Sequence, residues 1–126
     1  MWKYYNPNPA KRNVGDCAVR AVSAALDMDW QTAYCELVSE AYYQCDMPSS
    51  NAVINSVLKA NGFVRRAIPD YCPDCYTAED FCRDFPYGTY VLGFGNHIAT
   101  EKDGILLDSW DSSQEVPQYF YKRKGQ

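Results

Sequence analysis

The chain has one histidine, His97, among its 126 residues. It has no apolar run long enough to cross a bilayer, and its first residues lack the apolar stretch of a secretory signal. We therefore predict a cytoplasmic protein with no membrane partner. Internal repeats, low-complexity stretches and linkers are also absent, and the length predicts a single domain over residues 1–126.

Basic residues are the minority among the charged ones. The 12 Lys and Arg residues face 16 Asp and Glu residues, which gives a net charge of −4. A chain with this charge is poorly suited to bind a phosphate backbone, so we predict no nucleic-acid partner. Basic residues gather locally at 11–12 and 122–124, and three charges near a chain end are more often a solvated tail than a binding patch.

The six cysteines require an explanation, because disulfides are rare in the cytoplasm. Free thiols, a metal site and catalysis are the alternatives. Cys72 and Cys75 form a C-x2-C, a spacing that fits a zinc knuckle, but no second C-x2-C or paired histidine follows. Four ligands would require Cys82 together with Cys35 or Cys45. We therefore predict no metal or other cofactor, and interpret Cys72 and Cys75 as loop thiols that pack or contact a partner.

Helical periodicity dominates the first half of the chain. Residues 1–15 contain two X-Pro steps, which predict an extended or looping segment. Asp16 is then a predicted N-cap, followed by small apolar residues at helical spacing. Asp29 can cap a second helix, which carries Trp30, Ala33, Tyr34, Leu37, Val38, Ala41 and Tyr42 at i, i+3, i+4 and i+7. A third helix starts at Pro48-Ser49-Ser50 and ends at Asn61-Gly62.

Strand patterns dominate the second half. Residues 63–68 predict a strand, and Thr77 with Asp80 predicts the capping box of a short helix. Four further strands are predicted at 89–94, 96–101, 105–110 and around 119–121. The predicted fold is α+β, with N-terminal helices (residues 1–62) packed on a C-terminal antiparallel β-sheet (residues 63–126).

Cys17 opens the first predicted helix, directly after Asp16. The free N–H groups and partial positive charge of a helix N-terminus stabilise a thiolate, which is the reactive form of cysteine. A small buried core residue is the alternative, because cysteine is among the most buried residue types. The position makes Cys17 a candidate nucleophile.

His97 lies on a predicted strand whose hairpin partner carries an acid. A four-residue loop around 102–104 puts Asp108 directly opposite His97. A two-residue Asp-Gly loop puts Trp110 opposite instead, with Asp108 diagonal to His97 on the same face. An odd-length loop would bring Asp111 to that face, so Asp111 is the alternative acid.

Together these three side chains suit nucleophilic catalysis. The imidazole of His97 takes the thiol proton of Cys17, and the carboxylate of Asp108 fixes the orientation and tautomer of the ring. The thiolate then attacks a carbonyl, and water or another nucleophile releases the acyl-enzyme. Each residue alone is a weak signal, but their combination predicts a cysteine hydrolase.

Two short motifs carry a family resemblance: Gly15-Asp16-Cys17 before an apolar helix, and His97-Ile98-Ala99 on a strand. With the order Cys, His, Asp along the chain, the sequence resembles the papain-like cysteine peptidase superfamily. It is most similar to bacteriocin-processing peptidases and small phage or bacterial relatives. The resemblance implies a papain-like fold, a triad of Cys17, His97 and Asp108, and a peptide or protein substrate cleaved at peptide or isopeptide bonds.

Two positions depart from the family pattern. Lys11 stands six residues before the nucleophile, where the family commonly has a glutamine that helps to form the oxyanion hole, and Ala18 replaces a usual glycine. Asn13 or another upstream Asn could donate instead, together with the backbone N–H of Cys17.

These departures keep two alternatives open. One is a catalytically silent papain-like domain that binds a peptide or protein through exposed tyrosines, for which the candidates are Tyr42, Tyr43, Tyr71 and Tyr76. The other is a transglutaminase-like enzyme that transfers the acyl group to an amine.

Overall fold

The computed structural model describes residues 1–68 and 76–126, which form an α+β fold with four helices and a six-stranded mixed sheet. The segment 69–75 lies outside the described residues, and with it the predictions for Cys72, Cys75 and Tyr71. No helix in the described ranges has the length and apolar character needed to span a bilayer. The elements along the chain are β1 (Trp2–Tyr4), α1 (Cys17–Leu26), α2 (Trp30–Gln44), α3 (Asn51–Ala60), β2 (Phe63–Ala67), α4 (Ala78–Asp84), β3 (Thr89–Gly93), β4 (Ile98–Lys102), β5 (Ile105–Asp108) and β6 (Tyr119–Arg123).

Side-chain caps fix the N-termini of three helices where the sequence predicts them. The carboxylate of Asp29 and the hydroxyl of Ser50 each accept a hydrogen bond from a first-turn N–H, of α2 and α3 respectively. Thr77 and Asp80 form the predicted capping box of α4. Such caps satisfy backbone donors that the helix itself leaves free.

Asp16 does not cap α1, although it stands at the N-cap position. Its carboxylate instead accepts hydrogen bonds from Arg20, at 2.6 Å, and from the indole of Trp30, at 2.9 Å. The predicted capping role was wrong because the side chain turns into the protein, where it is 7% exposed. The side chain of Asp16 therefore accepts no hydrogen bond from the first-turn N–H groups of α1.

The sheet has the strand order β1-β5-β4-β3-β6-β2. All neighbours are antiparallel except β1 and β5, which pair in parallel with Trp2 beside Leu106 and Tyr4 beside Asp108. The prediction of an antiparallel sheet therefore needs one correction, because the first residues of the chain add a parallel edge strand. Three residues are too short for a period-two pattern to mark them in the sequence.

Helices cover both faces of the sheet. The first face, called the α1–α3 face below, packs against α1 and α3, and α2 lies against these two helices. Its core includes Phe63, Val91, Ile98 and Tyr121. The second face packs against α4, and its core includes Tyr90, Leu92, Leu106 and Phe120. Because side chains alternate along each strand, successive residues point into different cores.

The apolar series on α2 is only half buried. Ala33, Leu37 and Ala41 are buried, whereas Tyr34, Val38 and Tyr42 are exposed. Tyr43 is exposed as well, so two of the four tyrosines singled out from the sequence lie on the surface; Tyr76 is half-buried.

Candidate active site

Cys17 is the first residue of α1 and is half-buried. Its backbone N–H has no partner within the helix, as holds for the first residues of any α-helix. The residue lies in the wall of a cavity of about 130 Å³, where the side chains of the helices meet a loop before β4. The other lining residues are Ala18, Ser49, Asn51, Ile54, Phe94, Gly95, Asn96, His97 and Ile98.

His97 stands directly before β4 and faces the same cavity. The β4–β5 hairpin closes through Asp103 and Gly104, both with positive φ, so the loop is the two-residue Asp-Gly turn. Continuing the register puts Trp110 opposite His97, and their ring centroids lie 4.9 Å apart. Of the loop lengths that the sequence left open, the two-residue loop is the one adopted.

Asp108 ends β5 and is fully buried. Its Oδ2 lies 2.6 Å from Nε2 of His97 and accepts a hydrogen bond from the hydroxyl of Ser112, also at 2.6 Å. Asp111, the alternative acid, is exposed, and its carboxylate accepts from the backbone N–H of Ser113. Asp108 is therefore the acid that the fold brings to the histidine.

Arg20 joins the helix that carries Cys17 to this acid. It is 5% exposed, and its guanidinium donates to Oδ1 of Asp108 at 3.0 Å and to Asp16 at 2.6 Å. The arginine thereby occupies the oxygen of Asp108 that His97 does not use. The sequence analysis missed Arg20, although an arginine one turn from Cys17 on a helix of small residues was a visible signal.

Strand β1 holds the backbone of Asp108. The N–H of Tyr5 donates to the carbonyl of Asp108 at 2.8 Å, and the indole of Trp2 donates to the same oxygen at 3.2 Å. The segment expected to be a loose approach to the site is thus one of its supports.

The pKa of the Cys17 thiol is lowered from its ordinary value. The largest cause is a hydrogen bond with His97; burial opposes the shift. The charge of His97, the backbone N–H of Ile98 and the charge of Arg20 lower the pKa further. These three interactions and the hydrogen bond with His97 favour the thiolate.

The pKa of His97 is raised to about 9. Burial alone would lower it, but hydrogen bonds to Asp108 and Cys17 and the negative charge of each overcome that effect. Burial raises the pKa of Asp108, yet its hydrogen bonds to His97 and Ser112 lower it overall, so the carboxylate stays ionised. The arrangement favours a thiolate–imidazolium pair at neutral pH.

Lys11 does not take the oxyanion-hole position that the resemblance predicts for a glutamine. It adopts a positive φ, and its Nζ donates to the backbone carbonyl of Asn6 at 3.1 Å. In the described part of the chain neither Lys11 nor Asn13 lines the cavity. The amides that do line it belong to Asn51 and Asn96, which the sequence analysis did not single out.

No group of three metal-ligating side chains is arranged around a common point in the described ranges. The zinc alternative depended on Cys72 and Cys75, which lie outside those ranges. Of the cysteines that would complete such a site, Cys82 is buried under the sheet, whereas Cys35 and Cys45 are exposed.

Comparison with known proteins does not add to this picture: no family model, curated protein or solved structure matches the chain.

Proposed function

We propose that this protein is a papain-like cysteine hydrolase that cleaves peptide or isopeptide bonds, with Cys17 as nucleophile, His97 as base and Asp108 orienting the base. One observation carries the proposal: Cys17 and His97 line the same cavity, and the ring of His97 is held at 2.6 Å by a fully buried carboxylate. The order of the residues along the chain and the early helix followed by a sheet agree with the papain-like resemblance.

The first half of the reaction forms an acyl-enzyme. Because Nε2 of His97 is held by Asp108, Nδ1 is left to take the thiol proton of Cys17. The thiolate attacks the carbonyl carbon, and the pair of electrons from the C=O bond moves onto its oxygen. As the tetrahedral intermediate collapses, His97 gives the proton to the leaving amine, and a thioester remains on Cys17.

The second half releases the product. His97 takes a proton from water, the hydroxide attacks the thioester carbon, and the carboxylic acid leaves as Cys17 becomes a thiolate again. An amine in place of water gives the transferase version of the same chemistry. The backbone N–H of Cys17 is suited to stabilise the oxyanion, with an amide from Asn51 or Asn96 as the second donor.

The proposal predicts selective alkylation of Cys17 by iodoacetamide near pH 6. An ordinary thiol has a pKa of about 8.5, so few other cysteines are thiolates there. Reactivity should rise as pH rises through the lowered pKa of Cys17 and then stay level until His97 loses its proton near pH 9. Mass spectrometry reads each cysteine separately.

The internal references are Cys35 and Cys45, which are exposed on or beside α2, and Cys82, whose pKa burial raises to about 12. Replacing His97 with Ala should move the labelling of Cys17 to higher pH and leave the references unchanged. Labelling of Cys17 that matches Cys35 at every pH would exclude the thiolate–imidazolium pair.

A silent binding domain is the second candidate, because Lys11 bonds to the backbone of its own loop instead of the cavity. Turnover separates the two candidates. An enzyme loses all hydrolysis of its peptide substrate in Cys17→Ala, whereas a binding domain keeps its partner with unchanged affinity.

A further inference from the structure

Half of the basic residues lie in two short stretches without any acid. Residues 51–68 and 117–126 hold six of the twelve Lys and Arg residues and none of the 16 Asp and Glu residues. In a chain of net charge −4, this segregation creates a local positive field. The six basic residues are Lys59, Arg65, Arg66, Lys122, Arg123 and Lys124.

Strands β2 and β6 bring these stretches together at one edge of the sheet. In their antiparallel register, Arg65 lies opposite Tyr121 on the α1–α3 face, and Arg66 lies opposite Phe120 on the α4 face. Directly opposed residues share a face, so positive charge flanks the edge on both sides. This group of six residues is called the basic edge below.

The charges of the basic edge are held in place but not neutralised. The guanidinium of Arg65 lies 4.1 Å from the ring centroid of Tyr119, and that of Arg123 lies 4.9 Å from the ring centroid of Phe63. Across residues 1–68 and 76–126, none of the ion pairs involves any of the six residues.

The backbone of β2 has one free side. β2 is an edge strand and has a neighbour, β6, on one side only. The N–H of Lys124 donates to the carbonyl of Gly62, and the N–H of Ile68 donates to the carbonyl of Gln118. The backbone N–H and C=O groups of the even-numbered residues in this segment therefore point towards β6. The backbone N–H and C=O groups of the odd-numbered residues point away from β6, and within the described ranges no backbone group bonds to them on that side. These residues are Phe63, Arg65 and Ala67.

A groove lies beside this free side. It has a volume of about 220 Å³ and runs between α3 and β2 on the α1–α3 face. An added strand would direct every second side chain towards this groove and the others towards Arg66. The residues that line the groove are Asn55, Lys59, Phe63, Val64 and Arg65.

We propose that the basic edge docks an extended acidic segment of a partner protein, which pairs with β2 as a seventh strand. The N–H and C=O groups of Phe63, Arg65 and Ala67 point to the free side, and a peptide backbone can pair with both kinds of group. The carbonyl of Arg65 accepts a hydrogen bond at 3.0 Å from the exposed guanidinium of Arg66, which an added strand would replace. Because basic residues lie on both faces, they favour Asp and Glu at odd as well as even positions of the docked strand. A phosphate backbone could use only the donors.

The docked segment would lie outside the catalytic cavity. Register pairs place Ala67 beside Tyr119, Tyr119 beside Gly93, and Gly93 beside Ile98, so the end of β2 reaches the end of the sheet that carries His97. With strands about 4.8 Å apart, a seventh strand lies roughly 19 Å from β4. The basic edge is thus a docking site for a protein and not a binding site for the bond that is cleaved.

The test uses the full chain as Cys17→Ala, so that binding is measured without turnover. The probe is a fluorescein-labelled peptide of alternating Glu and Thr, and its anisotropy is measured at low and high salt. Arg66→Glu should weaken binding about tenfold, since one reversed charge next to an acidic strand costs on the order of 1.4 kcal/mol. The matched control is Lys3→Glu, an exposed reversal on β1 at the opposite edge, which should not change the affinity.

A second measurement separates strand pairing from charge alone. The same peptide with an N-methyl group at every residue keeps its charge but loses the backbone donors of both edges, and it should bind at least about tenfold more weakly. Equal binding of the methylated peptide would overturn the proposal, and so would oligothymidylate that binds as tightly as the peptide. Neither result affects the alkylation of Cys17, which tests the proposed function separately.

Discussion

Asp108 has a different partner for each of its polar atoms. Oδ2 is hydrogen-bonded to His97 and Ser112, and Oδ1 accepts from Arg20 and from the backbone N–H of Ser109. The backbone carbonyl accepts from the indole of Trp2 on β1. A buried carboxylate is stable only when hydrogen bonds and opposite charge replace its lost hydration. The position of the acid is therefore fixed by the fold, and Arg20 supplies a full positive charge next to it.

Removal of Arg20 tests how much this charge stabilises the fold. Arg20→Met leaves Asp16 and Asp108 buried without their shared cation, and breaking such a pair costs about 3–5 kcal/mol of unfolding free energy. Arg83→Met is the matched control, because Arg83 pairs with Asp80 on the surface and is 68% exposed. That pair should contribute less than about 1 kcal/mol.

Urea denaturation measures both variants. Arg20→Met should also shift the alkylation of Cys17 to higher pH, because the Arg20 charge helps to lower the thiol pKa. Equal losses of stability in the two variants would contradict the role assigned to Arg20.

Among the elements, β3 and β6 meet most tightly near the site. Gly93 ends β3, and the ring of Tyr119 from β6 covers it, so that a Cβ on Gly93 would lie 2.0 Å from the ring. The same ring carries the guanidinium of Arg65 on its surface. The glycine thus allows a tyrosine to lie flat across two strands, between the end of the sheet that carries His97 and the basic edge.

Gly93→Ala should destabilise the protein by about 1–3 kcal/mol, because the ring must leave its place and lose its packing. Gly95→Ala is the control, since the nearest atom to its added Cβ lies 3.7 Å away. Thermal unfolding of the wild type, Gly93→Ala, Tyr119→Ala and the double variant forms a double-mutant cycle. Additive losses in that cycle would mean that the two residues do not clash.

Local patterns allowed much of the fold to be predicted from the sequence. The caps at Asp29 and Thr77 and the hairpin around Asp103-Gly104 depend on residues close together in the chain, and the structure has them at the expected positions. The hairpin also brought Asp108 to His97 by simple alternation.

Long-range contacts were not predictable in this way. Arg20 and Asp108 are separated by 88 positions, and β1 pairs with a strand about a hundred residues later. No local period records such contacts, because they depend on how the elements pack. Asp16 shows the same limit, since its type and position suit a cap but its carboxylate binds Arg20 and Trp30.

At the scale of the whole molecule, the sheet buries one carboxyl group that the proposed chemistry does not use. Glu101 is fully buried on the α4 face; its Oε1 accepts from the backbone N–H of Gly104, and its Oε2 has no partner among the described residues. Burial raises its pKa to about 8, although the Gly104 N–H opposes the shift. The neighbouring titratable groups are Cys82, Tyr90, Asp103 and the amino terminus.

This buried proton should make the wild type lose stability as pH rises. The carboxyl pKa is raised from 4.5 to about 8 on folding, so between these values the native state holds a proton that the unfolded state releases. The unfolding free energy therefore falls across that window and levels off above pH 8. Glu101→Gln carries no such proton, so the wild type should lose up to about 4 kcal/mol relative to it between pH 5 and 8.

Urea titrations at several pH values measure this difference between the two proteins. His97, whose pKa is also raised on folding, adds a further loss of stability as pH rises towards 9, but it is present in both proteins and cancels. Glu36→Gln, an exposed change on α2, is the control and should run parallel to the wild type. If Glu101→Gln also runs parallel to the wild type, Glu101 is ionised in the native state and its charge must be compensated. The amino terminus is then the candidate, because its charge already opposes the rise in the Glu101 pKa.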